Sequence, residues 1–303
     1  MIPFIMALTL ALASPAAAPP PAADITVTAP RLDADTAAEA ARTYADRVLP
    51  TPIYGQFARW RGPVCIKVSG IDPAYAPRIT ARIRAVAEAA EVKIAPDKCR
   101  PNLLIIFTPD ARKTVDVIVA RKPRTLRRLT DVERQAVLES PLPVRWWYSV
   151  EPTDRNGVPA APTSAALLSA TSGGGRPLAD LLPINSDTMM IDNYSSSLID
   201  TNFIAGVTGA VAVVDVPLAT GTSLDALTDY LALVTLAPTR IPPQSPGVPS
   251  ILNLFGQADA ARPEGLSGWD SAYLAGLYQS VASRRASWQR GQIVEQLKTA
   301  TQP

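Results

Sequence analysis

The chain has 303 residues, of which 47% are hydrophobic, and it carries a net charge of +2 at pH 7. This is enough apolar material for a sizeable core in one large domain or two small ones, and too little charge for a global field that binds nucleic acid. The sequence contains no histidine, which excludes Ser-His-Asp and Cys-His catalysis within the chain.

Residues 1–23 have the pattern of a secretory signal peptide. An apolar run from Ile2 to Ala13 precedes a cluster of small residues, as in the hydrophobic and cleavage regions of such signals. The run is too short to span a bilayer, and no later stretch has the roughly 18 continuous apolar residues that a membrane span needs. We therefore expect a secreted, periplasmic protein whose mature chain has no transmembrane segment.

Residues 24–58 are predicted to form a linker rich in proline and alanine, followed by a helix. Residues 24–31 alternate apolar and polar side chains. This short stretch resembles the TonB box of outer-membrane receptors, and a β-prone segment without that role is the alternative. Tyr44 and Val48 lie on one side of a predicted helix that spans residues 34–48. A single domain is expected over residues 59–303, with a flexible insertion near residues 151–180.

The two cysteines, Cys65 and Cys99, lie in the first part of that domain. An even pair in an exported chain indicates a disulfide, and two buried thiols are the alternative. Around them, residues 64–68 predict a strand, residues 74–90 an amphipathic helix and residues 103–107 a fully apolar central strand. The disulfide would then join the first strand to the segment that enters the central strand.

Residues 121–128 are the densest basic run of the sequence, placed between a helix at residues 110–119 and a helix whose capping box begins at Thr130. The five cationic side chains of this run are Arg121, Lys122, Arg124, Arg127 and Arg128. A positive surface of this kind suits anionic glycans, lipid headgroups or nucleic acid, whereas the proline in its middle indicates an ordinary solvated loop. We predict no nucleic-acid partner.

The second half of the chain predicts further strands and three helices. Strands are expected at residues 144–150, 188–191, 195–199 and 207–216. An apolar helix at residues 222–237 leads to a proline-rich loop and a short turn, Ser250-Ile-Leu. The next helix is capped by Ser267, with Asp270 at the capping-box position, and a final helix covers residues 283–299.

This order of strand, apolar helix, loop, Ser-Ile-Leu turn and helix ending in Leu-Tyr resembles the catalytic half of the metzincin-like zinc metallopeptidases, which belong to the zincins. The resemblance implies an α+β fold with a mixed sheet, a cleft helix at about residues 222–237 and C-terminal helices. It also implies an edge strand from residues 188–199 above the cleft.

The zinc motif of that family, His-Glu-x-x-His, is missing. It places two histidines one helical turn apart as metal ligands, with a glutamate between them as the base. In the best register, Thr228 and Ala232 occupy the histidine positions and Asp229 the glutamate position. Since alanine has no lone pair to offer, we predict a degenerate site that holds no metal, and no other cofactor is predicted.

Two functions remain open. The first is a non-catalytic binding or scaffold protein, a pseudo-metallopeptidase that uses the inherited cleft or the basic surface to hold a peptide or an envelope component. The second is a metal-independent hydrolase that uses paired carboxylates or a Ser-Lys pair. The candidate acids show no spacing that fixes a pair; they are Asp192, Asp215, Asp229 and Asp270.

Overall fold

The computed structural model describes residues 33–159, 161–162, 189–190, 200–256 and 262–300. The predicted signal peptide, residues 24–31, Asp192, the strand expected at residues 195–199 and most of the predicted insertion lie outside the described residues. Within the described ranges the helices are α1 (Ala34–Val48), α2 (Ala76–Ala89), α3 (Ala111–Arg121), α4 (Asp131–Glu139), α5 (Leu224–Leu236), α6 (Gly268–Gln279) and α7 (Ala286–Thr299). The strands are β1 (Arg59–Trp60), β2 (Ile66–Ser69), β3 (Leu103–Thr108), β4 (Val144–Thr153), β5 (Ala161–Pro162), β6 (Met189–Met190) and β7 (Ile204–Asp215).

Five of these strands form one mixed sheet with β7 at its centre. β7 runs parallel to β3 on one side and antiparallel to β4 on the other, while β2 lies parallel to the far side of β3. The short β1 pairs in parallel with the first part of β7. The predicted α+β class with a mixed sheet is therefore confirmed, as is a central strand at residues 103–107.

The antiparallel neighbour of β7 is β4. β4 has ten residues, and its first five are all buried, so it can pair along nearly the whole length of β7. The Met189–Met190 strand is much shorter and pairs instead with Ala161–Pro162 in a separate two-stranded sheet. Length and apolar content thus favour β4 as the antiparallel neighbour of the central strand.

The two faces of the sheet carry different helices. Leu103, Ile105 and Phe107 alternate with less buried neighbours along β3, because successive side chains of a strand point to opposite faces. The fully buried face packs against α5, to which α2 is joined in turn, and the other face is partly covered by α3 and α4. The second face therefore keeps part of its apolar surface uncovered by the described helices.

Helix α1 belongs to the same hydrophobic core as the rest of the domain. Its N-cap Asp33 accepts hydrogen bonds from the backbone of Asp35 and Thr36, and it packs against α7 with Tyr44 and Val48 almost fully buried. One compact unit accordingly covers residues 32–303. The sequence placed the start of the domain near Arg59 because the alanines of α1 give little apolar signal of their own.

Helices long and apolar enough to cross a membrane are absent from the described residues. The predicted disulfide between Cys65 and Cys99 is present, with its Cα atoms 6.0 Å apart. It joins the chain just before β2 to the chain just before β3, two strands that pair from Ile66 and Leu103 onward. The bond therefore fixes the entry of two parallel neighbours at the same end of the sheet.

Replacement of both cysteines by serine should lower the free energy of unfolding by roughly 3–4 kcal/mol, since the bond closes a loop of 34 residues and restricts the unfolded chain. Guanidinium denaturation of the wild type and of the Cys65→Ser, Cys99→Ser variant, both followed by tryptophan fluorescence, measures the difference. The wild type in excess reductant should unfold like the variant. Equal midpoints for the oxidised wild type and the variant would contradict the assignment.

Candidate functional site

Helix α5, where the sequence places the degenerate metal site, is a core element. Ser223 caps it by accepting a hydrogen bond from the backbone of Ala226, and Thr228, Asp229 and Ala232 are each at most 2% exposed. The Thr228 hydroxyl donates to a carbonyl of its own helix at 2.6 Å. These three residues therefore offer no open ligand set, and they do not fit a zinc ion.

Asp229 is engaged in a link between helices. Arg82 on α2 donates to both of its carboxylate oxygens, at 2.6 Å and 2.8 Å, and the backbone N–H of Leu266 donates at 3.0 Å. The hydrogen bond from Arg82 to Asp229 holds the pKa of this guanidinium above its ordinary value. Asp229 thus stabilises the packing of α2 on α5 and is not aimed into a cavity.

Aromatic side chains fill the space between β4 and α5. Tyr230 makes edge-to-face contacts with Trp146 of β4 and with Phe255, with ring centroids 5.9 Å and 5.0 Å apart. The hydroxyl of Tyr148, also on β4, donates to the Val234 carbonyl. Because helix residues follow one another at about 100°, residues 228 and 232 face away from the side that Tyr230 turns to β4.

A small cavity of about 290 Å³ remains between β4 and the loop that follows α5. Its charged residues already have partners. Arg128 lies 3.7 Å from Glu151 and stands over the Tyr54 ring, and Glu133 accepts hydrogen bonds in the capping box of α4. This cavity therefore offers mainly apolar space and no free charge for a ligand.

Each described candidate acid has its own hydrogen-bond donors, and Asp229 and Asp270 accept from the consecutive backbone N–H groups of Leu266 and Ser267. Asp215, at the end of β7, accepts from the backbone of Ala111 at 3.0 Å and of Leu218 at 3.2 Å. Asp229 faces Arg82. Clusters of three or more cysteine, aspartate or glutamate side chains that could hold a metal ion do not occur in the described part of the chain.

Asp270 is the most heavily hydrogen-bonded of these acids and is completely buried. Its carboxylate accepts from the hydroxyls of Tyr44, Ser250 and Ser267 at 3.0, 2.5 and 2.9 Å, and from the backbone N–H groups of Ile251 and Ser267 at 2.8 and 2.9 Å. The predicted capping box of α6 is thereby confirmed. One carboxylate joins α1, the Ser-Ile-Leu turn and the start of α6.

A larger opening lies on the opposite face of the sheet, under α3. It has a volume of about 750 Å³, within the range of ligand pockets. Its apolar floor consists of half-buried aliphatic side chains and one buried indole of the sheet, and Ile118 of α3 lines its side; the floor residues are Leu104, Ile106, Val211 and Trp147. Its charged lining residues, all cationic, are Arg100, Arg121 and Lys122. We call this opening the cationic groove.

The three groove cations lie close together because α3 follows β3 and runs back along the sheet. β3 begins just after Arg100, and α3 follows it and returns along the sheet. The eleven residues of α3 span about 16 Å, which is close to the length of roughly 20 Å of the six-residue strand β3. Its C-terminal residue Arg121, and Lys122 after it, therefore end near the start of β3. All three side chains are exposed, and none forms an ion pair with another described residue.

The predicted basic run does not act as one surface. Arg121 and Lys122 line the cationic groove, whereas Arg127 and Arg128 approach Glu151 at 3.5 Å and 3.7 Å. Arg124 is exposed and lies outside the groove lining. Sequence reasoning missed Arg100, which is 21 positions before Arg121. The signal that could have found it is the strand–helix return, which brings the two ends of that segment together.

The polar groups of the groove floor are already engaged. The side-chain amide of Asn102 accepts from the backbone of Cys65 at 2.7 Å and donates to the Pro63 carbonyl at 3.1 Å. The Trp147 indole N–H donates to the Thr125 hydroxyl at 3.1 Å. The groove therefore presents mainly apolar surface and positive charge, together with the hydroxyl of the exposed Ser149. Comparisons of this chain with protein-family models, with curated proteins and with solved structures found no match.

Proposed function

We propose that the chain is an exported, non-catalytic binding protein that holds an anionic, partly apolar component of the cell envelope in the cationic groove. The observation that carries this proposal is the set of three exposed cations without ion-pair partners among the described residues, above an apolar floor and with no acid in the lining. Positive charge at the mouth of an apolar cavity attracts and orients a ligand of the opposite sign.

Export is supported by the disulfide, which forms and persists in oxidising compartments. Descent from a zincin-like architecture is supported by the order of elements, in which β7, α5, the Ser250 turn and α6 follow one another beside an antiparallel edge strand. In this proposal the residues of the old site, Thr228, Asp229 and Ala232, have become buried core positions, and binding has moved to the other face of the sheet.

The hydrolase alternative needs two carboxylates about 5–9.5 Å apart that face one pocket, or a serine and a lysine within hydrogen-bond reach there. Asp215, Asp229 and Asp270 are buried and engaged by structural donors, and the described lining of the cationic groove contains no acid. Binding without chemistry is therefore the function that the described residues support best.

Anilinonaphthalene sulfonate, an anionic dye that fluoresces in apolar surroundings, tests the proposal. We expect saturable binding to one site per chain. Combined Arg121→Gln and Lys122→Gln substitutions should weaken the affinity by up to about thirtyfold, because two exposed ionic contacts contribute less than about 1 kcal/mol each. Higher salt should weaken binding to the wild type in the same direction.

The matched control is Arg124→Gln, which removes a charge from the same run outside the groove lining. Its affinity for the dye should equal that of the wild type. Non-saturable fluorescence, or equal weakening by Arg124→Gln and by the double variant, would show that the dye reports general surface charge and would overturn the proposal.

A further inference from the structure

We infer that the ligand of the cationic groove is a single-chain amphiphile, a free long-chain carboxylate whose headgroup meets the three groove cations and whose alkyl chain lies on the sheet. This inference rests on the proposed function and narrows its ligand to one chemical class. The observation that supports it is that positive charge lies at one end of the groove and apolar surface lies along the rest.

The cations are gathered at one end. Arg100 precedes β3, and Arg121 and Lys122 end α3 beside it, so positive charge marks the level at which β3 starts. From there the floor continues along β3 through Leu104 and Ile106 over about 7–13 Å. A ligand with its charge at one end and an unbranched apolar body behind it matches this arrangement.

The strands under the groove favour an alkyl chain over a peptide. β3 is hydrogen-bonded to β2 and β7, and β7 to β3 and β4, so both floor strands have partners on both edges. A peptide laid on this face would bury N–H and C=O groups without partners, which is unfavourable. An alkyl chain has no such groups and needs only the aliphatic floor.

The cross-strand register adds a fourth positive charge at the border of the floor. Lys67 is the partner of Leu104, which is the partner of Val211, which in turn is the partner of Trp147. These four residues form one row across the sheet on the same face, and Lys67 is exposed at its outer end. The aliphatic part of the row thus lies between a cation and a large aromatic ring, on the face that α3 covers only in part.

Isothermal titration with octanoate, decanoate and dodecanoate, each below its micelle concentration, is the test. Every added methylene that the floor buries should tighten binding about fourfold, until the floor is filled. Decanol, which has the same chain without the charge, should bind about tenfold more weakly than decanoate. In the Arg121→Gln, Lys122→Gln variant the ratio of decanoate affinity to decanol affinity should fall. In Arg124→Gln this ratio should stay the same.

A second measurement locates the alkyl chain of the bound ligand. Bromine quenches nearby indoles, so bromododecanoate should quench part of the tryptophan emission of the wild type. Trp147→Phe should lose that part while its calorimetric affinity for dodecanoate stays within about threefold, because phenylalanine keeps most of the apolar contact. Quenching that is unchanged in Trp147→Phe would place the chain elsewhere and overturn the inference.

The remaining outcomes separate the inference from the function on which it rests. If the affinity depends on the charge of the ligand but not on the length of its alkyl chain, the groove binds anions but the inference of a bound alkyl chain is wrong. Tighter binding of an acidic leucine-rich peptide than of dodecanoate would overturn the amphiphile in favour of a peptide. Tighter binding of lysophosphatidylglycerol would replace the free carboxylate by a lipid headgroup. Failure of all these ligands and of the sulfonate dye would overturn the proposed function as well.

Discussion

Above pH 10 the folded protein should lose about 5–6 kcal/mol of stability for each further pH unit and unfold cooperatively. Burial raises the pKa of Tyr44, Tyr148, Tyr230 and Tyr273 above the ordinary value of a phenol, and the neighbouring Asp270 carboxylate raises that of Tyr44 further. These phenols are at most 8% exposed, so their anions would lose nearly all of their hydration on forming.

The sign follows from proton binding. Below pH 10 the phenols are protonated in both states, and their raised pKa values leave stability unchanged. Above pH 10 the unfolded chain releases these protons and the folded chain keeps them, so stability falls by about 1.4 kcal/mol per pH unit for each tyrosine. Burial also raises the pKa of Tyr278, which brings the number of such tyrosines to five. Burial lowers the pKa of Arg59 to about 10, so Arg59 releases its proton first in the folded state and offsets the contribution of one tyrosine.

Guanidinium denaturation at pH 8, 10, 10.5 and 11, followed by circular dichroism, measures this slope. Tyr230→Phe is the most informative variant, because it removes one titrating phenol while keeping the ring that contacts Trp146 and Phe255. Its slope should be shallower by about 1.4 kcal/mol per pH unit. The exposed Tyr75 is the control, and Tyr75→Phe should leave the slope unchanged. A flat profile through pH 11 would contradict the burial of these phenols.

Replacement of Asp270 by alanine should lower the free energy of unfolding by about 5 kcal/mol. Five hydrogen bonds would lose their acceptor, and two of the donors are backbone N–H groups of Ile251 and Ser267 that have no freedom to turn elsewhere. Buried donors left without partners are unfavourable by about 1–3 kcal/mol each, and bonds to a charged acceptor are the stronger kind.

Asparagine at position 270 should be much milder, with a loss of about 1–2 kcal/mol. Its carbonyl can face the two backbone N–H groups, while its amide can donate to the hydroxyls of Tyr44 and Ser250, which are able to accept as well as donate. Asp225→Ala is the matched control. It also removes an acid from the first turn of a helix, but its ion pair with Arg78 is about 60% exposed, so the loss should stay below about 1 kcal/mol.

Thermal and guanidinium unfolding of Asp270→Ala, Asp270→Asn and Asp225→Ala rank the three variants. The order alanine, asparagine, control is the expected one. Equal losses for Asp270→Ala and Asp225→Ala would mean that the carboxylate does not join α1, the Ser-Ile-Leu turn and α6.

Features that depend on nearby residues could be predicted from the sequence. The apolar run at residues 103–107 and the Thr130 and Ser267 capping boxes are local patterns, and the structure confirms them. The disulfide followed from the count of cysteines. Pairing of β4 with β7 could not be predicted in this way, because it joins residues about 60 positions apart and depends on which strand best matches the length of β7.

Only part of the cationic groove could be predicted from the sequence. The basic run contained Arg121 and Lys122, but the positions of five charges within eight residues do not show which of them find partners. Glu151 approaches Arg127 and Arg128 from the far end of β4. Which cations remain free is thus decided by tertiary contacts, and the apolar floor beneath them belongs to three strands that the sequence does not place side by side.

The disulfide lies next to the cationic groove, so it should affect how firmly an anion is held there. Cys99 immediately precedes Arg100, so the bond to Cys65 ties the segment that carries this groove cation to the start of β2. A chain that is still reduced keeps its three positive charges but lacks the covalent restraint at the mouth. We expect the reduced chain to release an anion from the cationic groove faster than the oxidised chain does.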